Sequence, residues 1–217
     1  MRAESPGHFA PGRRDSWDAA SVLIDPSLDG RPLDFTLIFG NRRPVEVEIG
    51  TGKGTFLLAR ARARPEVNFL GIEWARQYCL YAADRFRRAG LTNVAMLRDN
   101  AGPLFRNRIP ARSILRVHIY FPDPWPKRRH HRRRLIQPGF IQSVRDALLP
   151  GGQLLIVTDH LDYFQQIQAV LDCVKGLARI PFPQMANTDG QLVGTNFERK
   201  YIAQGRAFYP LARMRYV

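Results

Sequence analysis

From Val45 onward, short runs rich in β-branched residues alternate with stretches whose apolar residues recur at helical spacing. No other feature constrains the fold as strongly. VEVEI (45–49) alternates strictly, as a strand does, and runs into Gly50-Thr51-Gly52-Lys53-Gly54 and then the helix-like TFLLARARA. A second strand, NFLGIEW (68–74), precedes a helix with Tyr78, Ala82, Phe86 and Ala89 on one face and Gly90 set to stop it. VAML (94–97) and RVHIYF (116–121) are predicted as further strands. Beyond a basic run, Phe140, Ile141, Val144, Ala147 and Leu148 mark a helix, with Pro138 acceptable in its first turn. QLLIVT (153–158) follows as a strand, and Tyr163, Phe164, Ile167, Val170, Leu171 and Val174 mark another helix. The tail, 178–217, holds a Pro-rich turn, the segment TNFERKY and a last alternating stretch, AFYPLARMRYV. Strands alternating with helices predict an α/β fold, a mostly parallel sheet with helices on both faces. In such sheets ligands sit beyond the carboxyl ends of the strands, where strand order reverses, and the unusual residues of this chain fall at such ends.

The glycine turn lets a ligand approach bare backbone. Its spacing is GxGxG: Thr55 stands where a GxGxxG dinucleotide fingerprint needs its last glycine, and Gly54 after Lys53 breaks the GxxxxGK[ST] pattern. Glu48, two residues before Gly50, repels a pyrophosphate and attracts a ligand carrying an ammonium and a sulfonium. The electrostatics therefore favour S-adenosylmethionine over NAD or ATP. Glu73, near the end of the second strand, has the spacing for hydrogen bonds to both ribose hydroxyls. The amide of Asn100 can bond to an adenine edge, a role for which Asp99 competes. Glu46 lies on the polar side of the first strand without a ligand role. A buried acid must be paired, which predicts an arginine or water as its partner.

The stretch VHIYFPDPWPKRRHHRRRL (117–135) joins a strand end to a carboxylate, an aromatic face and a dense cationic run. Asp123 stands between two prolines, Trp125 follows, and Lys127 through Arg134 carry the charge. Among 217 residues, 33 Lys+Arg against 19 Asp+Glu give a formal charge of +14. That excess points to a polyanion, nucleic acid ahead of an acidic membrane, and Lys127 through Arg134 suit phosphates better than base selection. Phe121 is expected to close the core over its strand, whereas Trp125 can equally close the core or stack on a flipped base. His130 and His131 sit among cations with no third ligand, so no metal site is expected, and His160 reads as a bystander to a helix-capping Asp159. Thr195 can cap a short helix. Cys79 and Cys173 lie in helix-like apolar patterns without metal or redox spacing, and both are expected as reduced core residues of a cytoplasmic protein. No apolar run approaches membrane-spanning length, and MRAESPGHFAPGRRDSW lacks the apolar core of a signal sequence. Residues 1–34, rich in Gly, Pro, Arg and Asp, are expected to form a flexible arm before one domain at 35–217, with Arg13 and Arg14 able to help hold RNA.

With FPDPWPKRRHHRRRL, EIGTGKG, GIEWA and TNFERKY, the chain resembles the bacterial tRNA (guanine-N7-)-methyltransferases from about Phe35 to its C-terminus. The FPDPWPK-plus-basic stretch and the late TNFE are more specific than the glycine turn. The resemblance implies a Rossmann-like S-adenosylmethionine-dependent methyltransferase fold and methyl transfer to N7 of a guanine in the tRNA variable loop. By position it implies Glu48, Glu73, Asn100 and Asp123 on the cofactor side, with Gly50 and Gly52 of the turn beside them and Asp123 also catalytic. Lys127, Asp159, Thr195, Asn196, Phe197 and Glu198 match positions that contact the substrate, though the family often has Asp where this chain has Asn100. The implied partner is tRNA, with no membrane and no obligate protein partner. Guanine N7 already bears a lone pair, so the enzyme's task is to hold nucleophile, methyl and sulfur nearly collinear. Asp123 then stabilises the cationic purine product, and Asp123 and Glu198 can each accept from the guanine Watson–Crick edge. Two other readings compete. Methylation of an exocyclic base amine suits the order Asp123-Pro124-Trp125, and a non-catalytic RNA-binding protein on a methyltransferase fold suits Asn100 and the charge.

Overall fold

A period of two in VEVEI sends Val45, Val47 and Ile49 to one side of the sheet and Glu46 and Glu48 to the other. That division runs through the whole molecule. The computed structural model describes residues 17–24, 31–186 and 190–216. In chain order its elements are β1 (Leu23–Ile24), α1 (Phe35–Phe39), β2 (Val45–Ile49), α2 (Thr55–Ala63), β3 (Asn68–Ile72) and α3 (Arg76–Arg88). Then come β4 (Val94–Leu97), α4 (Ala101–Asn107), β5 (Ile114–Tyr120), a 3-10 helix (Arg128–Arg133), α5 (Pro138–Ala147) and β6 (Leu148–Thr158). The last are α6 (Leu161–Cys173), β7 (Leu177–Arg179), α7 (Asn196–Ala203) and β8 (Tyr209–Arg215). The strands form one sheet in the order β1-β4-β3-β2-β5-β6-β8-β7. Pairing is parallel from β1 to β6, and β8 is antiparallel to both of its neighbours. The chain moves outward to one side from β2 and to the other from β5, so the crevice for a ligand lies between the carboxyl ends of these two strands.

One face of the sheet packs Val47, Leu70, Val117 and Ile156 against Leu104 of α4, Phe140 and Val144 of α5, and Tyr163 and Ile167 of α6. The other packs Phe69, Met96, Leu155 and Val157 against Phe56 and Leu57 of α2 and Ala82 and Phe86 of α3. Each such large apolar side chain contributes roughly 1.5–3 kcal/mol on burial, which is why α2 and α3 stay clamped over the face that carries the acids. The packing leaves no slack at Gly54. It caps α2 at φ 70°, and a Cβ there would stand 2.6 Å from Phe86 Cζ and 3.1 Å from Ala82 Cβ. Gly54→Ala is expected to lower stability by about 2–4 kcal/mol, read as a fall in Tm of roughly 5–12 °C. A fall below about 2 °C would show that the helix relaxes around the new methyl.

The α/β architecture read from the alternation is the one the chain adopts. The periodicity does not predict the short elements. β1 and β7 exist through pairing with β4 and β8, α1 and α4 are single short helices capped by Asp34 and Asn100, and the basic run is a 3-10 helix. β1 pairs with β4, and Ala19 and Val22 are buried, so this piece of the expected arm is an edge strand. Arg13 and Arg14 lie outside the described residues. β6 begins at Leu148 because that residue pairs with Ile114, and Pro150-Gly151-Gly152, read as a turn, is a register shift within the strand. Cys79 is buried as expected, but Cys173 is exposed, since it ends α6 on the side away from the sheet's core.

Glu46 meets the partners its burial demands: Arg64 at 2.9 Å, His118 Nε2 at 3.0 Å, Arg116 at 3.4 Å and Arg60 at 3.9 Å. Burial favours the neutral acid, but the hydrogen bond from His118 and the neighbouring cations outweigh it and leave the pKa at about 2. A folded pKa below the ordinary 4.5 means that this group's stabilisation is complete above pH 4.5 and is lost as pH falls towards 2. Glu46→Gln is expected to remove that segment of the acid-unfolding curve, followed by circular dichroism. An unchanged curve would show that the pairing adds nothing.

Candidate active site

Gly50, Gly52 and Gly54 have φ of 79°, 54° and 70°, three left-handed residues within five. A Cβ at Gly50 would meet nothing within 4 Å, and one at Gly52 only Gly50 O at 3.9 Å, so the outer side of the turn is open. Behind it a Cβ on Gly71 of β3 would press on Met96 Sδ and lie 2.8 Å from Thr51 Oγ1, which keeps β3 close against the turn. Glu73 ties the two together. Its Oε2 accepts from Gly52 N–H at 2.8 Å and its Oε1 from Ala75 N–H at 2.8 Å. Each oxygen retains a lone pair that a ribose hydroxyl can use.

Glu48 lies beneath the turn, 4% exposed, and its Oε2 has no hydrogen-bond partner among the described residues. Burial first, and then the charge of Glu73, push its pKa well up, opposed only by the Thr51 hydroxyl. A buried carboxyl without a partner is costly, and a cationic ligand relieves that cost. An acid for a cation, a clamped acid for a ribose and bare backbone between them fit S-adenosylmethionine. Trp74, which sequence reasoning passed over, stands 67% exposed next to Glu73 and offers a flat apolar surface for a base. Its signal was an aromatic residue at the end of GIEW. At the end of β4, Asn100 caps α4, its Oδ1 accepting from Gly102 N–H at 3.1 Å, while Asp99 Oδ1 accepts from Asn100 N–H at 2.7 Å. With its oxygen engaged by the helix, Asn100 offers a ligand an N–H donor, whereas Asp99 offers a carboxylate oxygen.

After β5 the chain bends through two left-handed non-glycine residues, Phe121 (φ 52°) and Trp125 (φ 43°). Such backbone costs about 1–3 kcal/mol per residue and persists only where its surroundings enforce it. Here Phe121 N–H donates to Val157 O at 2.7 Å, and Arg134 Nε donates to Pro124 O at 2.7 Å. Between the bends Asp123 is exposed, and Tyr163 of α6 and Tyr201 of α7 both feel its charge. Phe121 packs 5.5 Å from both Tyr201 and Phe208 and 6.4 Å from Phe197, the core-closing role expected of it. Trp125 belongs instead to the basic lip, with the Arg133 guanidinium 5.0 Å over its ring and His130 edge-on at 5.9 Å.

Lys127, Arg128, Arg129, Arg132 and Arg133 are exposed along the 3-10 helix. Arg134 departs from the expectation that the whole run holds phosphates. It is 2% exposed, bonds Gln166 at 2.6 Å, pairs with Asp162 and lies 4.7 Å over Tyr163, so it is a strut for the FPDPW bend. Asp159 pairs with Arg206 at 2.7 Å, and Arg206 in turn lies 4.5 Å over Tyr201. The α6 cap is His160 and not Asp159: its Nδ1 accepts from Tyr163 N–H at 3.4 Å. Thr195 Oγ1 caps α7 by accepting from Glu198 N–H at 3.0 Å. The Glu198 carboxylate is buried and accepts from the N–H groups of Leu192, Val193 and Gly194, so it shapes this loop. Glu198 is 1% exposed, and all three bonds that its carboxylate accepts come from the backbone of its own loop. Asn196 and Phe197 remain exposed on the outer side of α7. The structure thus gathers Glu48, Gly50, Gly52 and Glu73 at the ends of β2 and β3. Asp123 and Asp159 stand beyond the ends of adjacent β5 and β6, with Tyr201 close enough to feel both.

A doubly wound sheet with this turn and these acids is the S-adenosylmethionine-dependent methyltransferase fold. Solved structures sharing it include the 16S rRNA methyltransferase KamB, with TM-score 0.63 and 14% identity over 84% of this chain and 93% of that one. An antibiotic related methyltransferase matches with TM-score 0.59 and 18% identity over 91% and 98%. The family model described as "Putative methyltransferase" matches residues 42–211. Relatives named tRNA (guanine-N(7)-)-methyltransferase are 39% identical in Nitrosococcus oceani, over 94% of this chain and 86% of the relative, and 37% in Syntrophotalea carbinolica, over 82% and 77%. A third, from Nocardia farcinica, is 39% identical over 76% of this chain, which spans 61% of that relative's length. The chain belongs to the tRNA (guanine-N(7)-)-methyltransferase family. Among the described residues no helix is long and apolar enough to cross a membrane.

Proposed function

We infer that the chain transfers a methyl group from S-adenosyl-L-methionine to N7 of a guanine in tRNA, in the variable loop. The observation that carries this reading is the orphaned, buried Glu48 beneath an open glycine turn clamped by Glu73, with the arginine-rich 3-10 helix following the next strand of the sheet. S-adenosylmethionine supplies an electrophilic methyl group when bound. Glu48 meets its cationic end, Gly50 and Gly52 let it lie against backbone, Glu73 and the Asp99–Asn100 pair hold the nucleoside, and Trp74 covers the base. Asp123 faces the guanine and stabilises the positive charge that the purine acquires. Lys127, Asp159, Asn196 and Phe197 line the substrate side, and Thr195 and Glu198 act there through the shape of the α7 loop. Residues 35–217 form the methyltransferase domain, to whose sheet β1 adds an edge strand, and a cytoplasmic location suits tRNA as substrate. No membrane and no obligate protein partner enters this reading.

Incubation with labelled S-adenosylmethionine and unmodified tRNA, followed by mapping of the label, tests it. Label on N7 is expected, label on an exocyclic amine would move the chemistry to the base-amine reading, and no transfer by folded protein would remove the enzyme. The lip is tested by salt. Arg129→Ala with Arg132→Ala is expected to weaken tRNA binding and flatten the plot of log affinity against log salt by about 1.4, at about 0.7 for each phosphate contact. An unchanged slope would deny these arginines a phosphate role.

A further inference from the structure

Between β2 and β5, on the acid face of the sheet, runs a row of buried polar groups. Arg116, His118 and Tyr120 alternate along β5 as Glu46 and Glu48 do along β2, and the register sets Glu46 beside Arg116 and Glu48 beside His118. Glu46 and His118 are fully buried and Tyr120 is 7% exposed. Phe56 of α2 seals the row, its ring 4.9 Å from His118 and 5.0 Å from Tyr120. His118 Nε2 lies 3.0 Å from Glu46 Oε2, and its Nδ1 lies 2.8 Å from Tyr120 Oη.

Charge sets the direction of these bonds. As a carboxylate, Glu46 can only accept, and its other oxygen already accepts from Arg64 and Arg116. The proton of the imidazole therefore sits on Nε2. Burial, reinforced by Arg60 and Arg116, keeps the ring neutral against the pull of Glu46, so Nδ1 is an acceptor and Tyr120 donates to it. The phenol oxygen then has only lone pairs to present on its other side. The register sets Glu48 beside His118, so Tyr120, two residues further along the same face, is its diagonal neighbour across the strand pair. After burial itself, the charge of Glu48 is the strongest influence holding the phenol protonated. Glu48 Oε2 lacks a partner. Once Glu48 gives up its proton, its carboxylate and the phenol oxygen are both acceptors, and a positively charged donor satisfies both.

We propose that Tyr120 is a cofactor-binding residue whose phenol oxygen, held as a pure acceptor through Glu46 and His118, joins Glu48 in binding the cationic part of S-adenosylmethionine. Glu46 and His118 are positioning residues that set its polarity. The inference rests on the reading that S-adenosylmethionine lies along the glycine turn.

The test is calorimetric titration of the full chain with three ligands: S-adenosylmethionine, with ammonium and sulfonium; S-adenosylhomocysteine, with ammonium alone; and methylthioadenosine, with neither. Tyr120→Phe is expected to weaken S-adenosylmethionine about tenfold while leaving methylthioadenosine within about twofold. A loss shared by S-adenosylhomocysteine assigns the contact to the ammonium, and a loss confined to S-adenosylmethionine assigns it to the sulfonium. Glu46→Gln offers a second route. With its amide oxygen turned to the arginines and its NH2 to Nε2, the imidazole tautomer inverts and Tyr120 points a donor at the pocket. The same charge-selective loss is expected, and the double variant should lose nothing further. Equal loss of all three ligands by folded Tyr120→Phe, or no loss of any, overturns the proposal. Wild-type protein that binds none of the three overturns the glycine-turn reading and this inference together.

Discussion

Glu48→Gln is expected to raise the melting temperature of the cofactor-free protein and at the same time remove most of its affinity for S-adenosylmethionine. The two effects share one cause. Glu48 is buried, near a second carboxylate, and one of its oxygens lacks a partner, so its folded pKa lies well above 4.5. A raised folded pKa means that this group's contribution is whole below pH 4.5 and is lost as pH rises towards the folded value. Near neutral pH the free protein therefore carries a penalty that a neutral amide of the same shape avoids. A domain of this size gains about 2–4 °C for each kcal/mol recovered, which a thermal melt resolves. Against that gain, a buried charged contact to the ligand is lost at about 2–5 kcal/mol, at least thirtyfold in affinity. Binding of a cation should also expel the proton from Glu48, so wild-type affinity rises with pH until the free carboxyl ionises, whereas the variant's pH profile is flat. Titration calorimetry in two buffers of different ionisation enthalpy counts that proton directly. A Glu48→Gln protein that binds the cofactor as wild type does would show that the ligand cation lies elsewhere.

Asp123→Ala is expected to cut methyl transfer by about 10²–10³, the range seen when one preorganised stabilising group is removed, while tRNA affinity stays within about threefold. The separation follows from placement. Asp123 sits between two backbone bends that Val157 and Arg134 enforce, whereas the exposed arginines on the 3-10 helix that meet phosphates lie further along the chain. Removing the carboxylate leaves that helix and the Arg134 strut in place. Because N7 gives up no proton, a general base is unnecessary, and Asp123→Asn, which keeps an acceptor but loses the charge, should recover part of the rate. Single-turnover measurements with saturating cofactor and tRNA decide. A rate within a few-fold of wild type in Asp123→Ala would remove Asp123 from the reacting centre.

Several roles could be read only after folding. Glu48, Glu73 and Glu198 look alike in the sequence, each an acid beside glycine or a helix start. In the structure Glu73 clamps the turn, Glu198 is surrounded by three backbone donors and Glu48 has an oxygen without a partner. Arg134 closes a run of arginines, yet its partners Gln166 and Asp162 lie 32 and 28 residues away and turn it inward. His160 and Asp159 exchange their expected parts for the same reason: Asp159 finds Arg206, 47 residues on, and leaves the helix cap to the imidazole.

By itself the sequence determined the two faces of β2, the glycine turn and the succession of strands and helices, because these follow from spacings of two to five residues and from backbone freedom at single positions. It also determined the charge that draws a polyanion, since charge is a sum over residues. Only the tertiary structure decided the strand order, the antiparallel edge formed by β8, and which carboxylate stands ready for a ligand. Those outcomes depend on hydrogen bonds and ion pairs between residues tens of positions apart, and no local pattern records which partner a side chain will meet.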